Sequence, residues 1–117
     1  MENKELVTID TIINFIKENV ENKQPLSPAV YVDAAAKLNV LLSDEHALLH
    51  KLQGEVARER VKFIEIDMTA TEAKMRVEAM PMYEQMLNQK AKIERIVEFI
   101  RISKLQARMA NDEFRGN

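Results

Sequence analysis

The sequence predicts an all-α protein: an elongated antiparallel helical hairpin of two long helices, preceded by a short N-terminal helix. With two Gly and three Pro in 117 residues, the chain has little material for turns and so few elements. Its apolar residues are mainly Leu, Ile, Val, Ala and seven Met, with aromatics at only 5%, a mix that suits helix packing better than sheet packing. Two helical stretches, Ser27–Met68 and Thr69–Phe114, meet at Asp67-Met68-Thr69. A helix of roughly 39 residues spans about 58 Å, more than the diameter of a compact globule of this length, so the core must be a seam.

Residues 1–26 read as an N-terminal segment carrying the short helix, and residues 27–117 as the hairpin, together one domain. The short helix starts near Thr8 or Asp10 and runs to about Lys23. Ile9, Ile12, Ile13, Ile16 and Val20 form one apolar stripe at helical spacing. A helix of this length is marginal alone, so it must dock. Gln24-Pro25-Leu26-Ser27-Pro28 punctuates the chain: Pro25 stops the first helix, Ser27 is a good N-cap, and Pro28 suits the first helical position because it has no N–H to leave unpaired.

The second helix then runs to Ile66 without a Pro. Leu42, Leu49, Val56 and Phe63 recur every seven residues, with Leu38, Leu52 and Ile66 at the alternate positions and Glu45 and Glu59 as polar interruptions. This is a coiled-coil-like seam, widened by Ala34, Ala35, Ala36, Leu41, Leu48, Val61 and Ile64. Thr69-Ala70-Thr71-Glu72 reads as a capping box that opens the last helix. There Tyr83, Met86, Ile93, Val97, Ile100 and Ala107 make one face, with Ile96 and Leu105 beside it. Pro81 removes a hydrogen bond to the carbonyl of Val77, so the helix is expected to bend over Ala79–Met82. Asn111 and Gly116 mark its end.

Folding back at Asp67–Thr69 sets Leu42 near Val97, Leu49 near Lys90, Leu52 near Met86 and Val56 near Tyr83, mostly apolar against apolar. Glu45 and Glu59 on one helix, with Lys90 and Lys104 on the other, read as devices that fix register. The first helix is expected across the end formed by Ala34–Leu42 and Val97–Leu105.

Composition narrows the function classes. The absence of Cys excludes disulfides, thiol catalysis and Cys-ligated zinc. The N-terminus lacks a signal-peptide pattern and no apolar run reaches the length of a membrane span, so no membrane partner is expected and a cytoplasmic location is. A net charge of −2 argues against a general nucleic-acid binder. Catalysis has no Gly-rich phosphate loop, no nucleophile–base set and no pocket to work with, so neither enzyme activity nor a cofactor is expected. His46 and His50 stand four apart, the spacing at which two imidazoles reach one metal. Ala47 follows the first where a metalloprotease helix needs Glu, however, and the facing side offers Lys90, Lys92 and Glu94. A polar helix face is the plainer reading, and no metal is expected.

Two basic stripes, Lys51, Arg58, Lys62 and Arg101, Lys104, Arg108, could follow phosphates. Interspersed acids make a solvated face laced with pairs such as Glu55–Arg58, Glu59–Lys62 and Glu72–Arg76 the plainer reading. Met75, Met80, Met82 and Met86 gather around Pro81, where thioethers either fill an irregular seam or form an adaptable binding surface.

The stretch from Ala79-Met80-Pro81-Met82-Tyr83 to Phe99-Ile100-Arg101, continuing to Lys104 and Arg108, resembles small helical accessory proteins encoded by bacteriophages, often among replication and recombination genes. The resemblance implies a non-enzymatic helper near nucleic-acid machinery, placed in the host-cell cytoplasm, and gives no residue a role. The expected function is therefore a non-catalytic helical interaction or assembly protein. Its partner is expected to be a second copy or another helical protein, bound through Leu41, Leu48, Met82, Met86 and Ile102. The alternative is a nucleic-acid-binding accessory protein using Arg95, Arg101, Lys104 and Arg108.

Overall fold

The computed structural model describes residues 8–22 and 27–115. Among them the fold is all-α, with four helices and no strand: α1 (Ile9–Asn22), α2 (Pro28–Glu65), α3 (Ala70–Glu78) and α4 (Pro81–Arg115). The two long helices, α2 and α4, pack together as expected. The expected stop at Pro25 and the marker Gly116 lie outside the described residues.

Helix ends follow from local chemistry. Thr8 precedes α1, and its Oγ1 accepts from the N–H of Thr11 while the Thr11 Oγ1 accepts from the N–H of Thr8, at 3.2 and 3.0 Å. The pair is a capping box in which Thr replaces the usual Glu or Gln. α2 starts at Pro28 and passes Ser43 without a break. Its end is a Schellman motif: the N–H of Met68 donates to the Phe63 carbonyl and that of Asp67 to the Ile64 carbonyl. Asp67 occupies the left-handed position, at φ 70°, where glycine is the least strained residue. Asp67→Gly is therefore expected to stabilise the fold by about 0.5–1 kcal/mol, read as a higher urea midpoint.

Thr69 and Glu72 form the expected capping box at the start of α3. The last stretch is not one bent helix, however. α3 stops at Glu78 and α4 restarts at Pro81, which sits in the first turn where its missing N–H costs nothing. The Val77 carbonyl, which a continuous helix would have left without the N–H of residue 81, accepts from Met80 instead at 3.0 Å. At the other end, α4 runs through Asn111 to Arg115.

Contacts group the chain into two compact units: Met1–Leu42 with Glu94–Asn117 (unit 1), and Ser43–Ile93 (unit 2). Unit 1 has a closed three-helix core. Ile9, Ile12, Ile13 and Ile16 of α1 meet Ala34, Ala35 and Leu38 of α2 and Ile96 and Ile100 of α4, with Val20, Leu41, Leu42, Phe99 and Ile102 packed against them. Each Ile buried from α1 contributes about 1.5–3 kcal/mol, which holds a helix too short to persist alone. Ser103 is fully buried and donates its hydroxyl to the Phe99 carbonyl at 2.8 Å, so it leaves no unpaired group.

Unit 2 has no third helix alongside its seam comparable to α1. Only Val56, Ala73, Val77, Gln89 and Ile93 are buried there, while the seam residues Leu49, Leu52, Phe63, Met82 and Met86 remain half-buried. The Gln89 amide donates to the main-chain carbonyl and to the Oε1 of Glu45, each at 2.8 Å, and Lys92 lies 3.3 Å from the same carboxylate.

These contacts correct the phase read for the last helix. Met86 and Ile93 in unit 2, and Ile100 and Ala107 in unit 1, hold the expected positions. The alternate positions are Gln89 in unit 2 and Ile96 and Ser103 in unit 1, one residue earlier than Lys90, Val97 and Lys104, while Met82 and Tyr83 are both half-buried. A seam repeat alternates steps of three and four, and here the three-residue step follows Met86 and Ile93. Val97, Lys90 and Lys104 are accordingly exposed, and the register device opposite Glu45 is Gln89 rather than Lys90.

Candidate interaction surface

Side chains expected to bind a partner divide between two environments. Leu41 and Ile102 are half-buried against the unit 1 core, and so belong to that packing rather than to a face left outside it. Met82 and Met86 are half-buried at seam positions of unit 2, and Leu48 is exposed.

Several large apolar side chains are exposed in unit 2 where α2 ends and on α3. Val61, Ile64, Ile66 and Met75 are all exposed, Ile66 and Met75 each at 66%. Of these, Met75 lines a shallow groove of about 400 Å³ with Met68, Glu72, Arg76 and Ala79. Arg76 sits over the Phe63 ring, 5.9 Å from its centroid, so the expected pair with Glu72 is replaced by a cation–π contact, while Glu72 caps α3. Of the three pairs expected along the helices, Glu59–Lys62 is formed, at 3.7 Å. Ile66, expected in the seam, is exposed because α2 ends one residue before it. Val61 and Ile64, expected to widen the seam, are exposed instead, in keeping with their positions off the seven-residue repeat.

The basic residues of α4 do not form one stripe. Arg95 points to α1, 3.7 Å from Asp10. Six residues on, Arg101 lies about 120° round the helix. Its Nε is 3.2 Å from Glu98, whose carboxyl those hydrogen bonds hold below the usual carboxylate range. Lys104 and Arg108 are exposed and make no ion pair among the described residues.

His46 and His50 are exposed, and among the described residues no group of three or more His, Asp or Glu is placed to hold a metal ion. Burial raises the pKa of Tyr31, whose ring is almost wholly covered in unit 1. Among the described residues no helix is long and apolar enough to cross a membrane. No protein-family model matches the chain, and no curated protein or solved structure matches it.

Proposed function

We propose that the protein is a non-catalytic helical interaction protein that binds a helical partner, its own second copy included, through unit 2. One observation carries this reading. The two units use the same seam repeat, yet unit 1 closes its core with α1, whereas unit 2 keeps Leu49, Leu52, Met82 and Met86 half-buried and exposes Ile64, Ile66 and Met75. An apolar seam left half-covered is a surface that a further helix can complete, and Met side chains adapt to a partner's shape. A helper of this kind is in keeping with the resemblance of the 79–101 stretch to phage accessory proteins.

The nucleic-acid reading has less support. Arg95 is turned toward α1 and Arg101 is held by Glu98, which leaves Lys104 and Arg108 as the open cations of the four.

Light scattering behind a sizing column tests the proposal. The chain is expected to gain mass with concentration and to keep or increase that association at high salt, as apolar contacts do. Ile66→Glu with Met75→Glu, both at exposed positions, should abolish the association without loss of helicity. A mass unchanged by the pair would remove unit 2 from the interface, and a chain monomeric at every concentration would remove self-association.

A further inference from the structure

All the sulfur in this chain is thioether, and most of it lies in unit 2. There is no Cys, and five of the seven Met, at positions 68, 75, 80, 82 and 86, fall within unit 2. Their settings differ. Met75 is 66% exposed, as is Met109 of unit 1 at 51%. Met82 and Met86 are half-buried, on the face of α4 that also carries Gln89 and Ile93. The matching face of α4 in unit 1 carries Ile96, Ile100, Ser103 and Ala107, and no buried residue there holds sulfur among the described residues.

Half-burial has two consequences. The side chain is within reach of a small oxidant, and it is packed closely enough for a change of polarity to be felt. Oxidation turns an apolar sulfur into a sulfoxide, a polar group that needs a hydrogen-bond donor. The seam offers none. Leu49, Leu52 and Val56 of α2 carry no side-chain donor, and the main-chain N–H groups inside a helix are already bonded. The Gln89 amide, one turn on from Met86, already gives both its N–H groups to Glu45. A sulfoxide on this face is satisfied only by water, which means leaving the seam and taking apolar packing with it.

We propose that Met82 and Met86 form a reversible oxidation site for hydrogen peroxide, and that their sulfoxide form loosens unit 2 while unit 1 stays closed. The thioether sulfur attacks one peroxide oxygen. The O–O bond breaks, an S–O bond forms, and the second oxygen leaves with both protons as water. Sulfur gives up two electrons, which the peroxide takes. Methionine sulfoxide reductases reverse the step, one enzyme for each epimer. A dithiol then supplies two electrons and becomes a disulfide, and the sulfoxide oxygen leaves as water. With unit 2 as a partner site, the same step removes apolar surface that a partner covers. That consequence rests on the proposed function, and the oxidation itself does not.

Hydrogen exchange on the dilute full chain tests the proposal, with peptide mass mapping to place each added oxygen. Under peroxide, Met75 and Met109 should react first, and Met82 and Met86 after them. Amides from Leu49 to Val56 and from Met82 to Ile93 should then exchange about tenfold faster or more, in step with the second pair rather than the first. Amides around Leu38 and Ile96 should not change. Both reductases with a dithiol should restore the original rates, an outcome that needs no variant. Met82→Leu with Met86→Leu keeps volume and apolarity, so its unit 2 should stay protected with Met75 and Met109 fully oxidised. Met82 and Met86 left unoxidised by prolonged excess peroxide, exchange unchanged by their oxidation, or a Leu variant that loses protection as the parent does would overturn the proposal. Because the readout lies within one dilute chain, it is separate from any failure of unit 2 to bind a partner.

Discussion

Leu38→Ala is expected to destabilise the protein by about 2–5 kcal/mol, among the largest effects of any single truncation. Leu38 is fully buried at the centre of the unit 1 cluster, where α1, α2 and α4 converge. Removing its branch forfeits the transfer free energy of the buried carbons and leaves a cavity. Three packed helices cannot all relax into it at once. A small domain has only about 5–15 kcal/mol in hand, so the loss is a large share of the total. At a urea dependence of about 1–3 kcal/mol per molar, the midpoint should fall by about 1 M or more. Leu52→Ala supplies the contrast. Leu52 occupies the equivalent repeat position in unit 2, fourteen residues on, but is only half-buried, so its truncation should cost well under half as much. Equal costs at the two sites would contradict the contrast between a closed and an open core.

The second large effect is expected at the polar layer of unit 2. Gln89→Ala should cost about 1.5–3 kcal/mol, the range for a hydrogen bond to a charged group, because the half-buried Glu45 carboxylate loses its 2.8 Å donor. Glu45→Ala removes the same bond from the other side while the Gln89 amide keeps the Glu45 main-chain carbonyl, so it should cost less. Glu45→Leu with Gln89→Leu is different. Both polar partners leave together, so stability is expected near or above the parent value. What the double variant loses is the bond that selects one alignment of the helices, and its assembly should become heterogeneous. A double-mutant cycle in urea gives the coupling energy, expected at about 0.5–3 kcal/mol. A coupling near zero would mean that the layer does not act as a pair.

Much of the fold was legible because the seam repeat of α2 is written in side chains large enough to show it. Leu42, Leu49, Val56 and Phe63 share one stripe, and Pro28 and Thr69 sit where helix geometry requires them. The last helix was harder. Ile96 and Val97 are adjacent and both apolar, so either could fill the alternate position, and the true occupants Gln89 and Ser103 are polar. Burial of Ser103 depends on its bond to the Phe99 carbonyl, and that of Gln89 on its bonds to Glu45 forty-four residues away, neither of which periodicity shows. Pro81 permitted a bend or a restart, and the satisfied Val77 carbonyl decides for a restart. The candidate surface was only partly readable. Surplus apolar residues were evident, but which of them α1 covers depends on its seat against Leu41, Phe99 and Ile102.

Hydrogen exchange at low and high protein concentration tests the central claim most directly, because it reads each unit separately in the full chain. Amides around Leu38 and Ile96 in unit 1 should be strongly protected at both concentrations. Amides of α2 from Leu49 to Phe63 and of α4 from Met82 to Ile93 should exchange faster when dilute and slow markedly as association covers the open seam. Protection that is equal in the two units when dilute and unchanged by concentration would contradict the account.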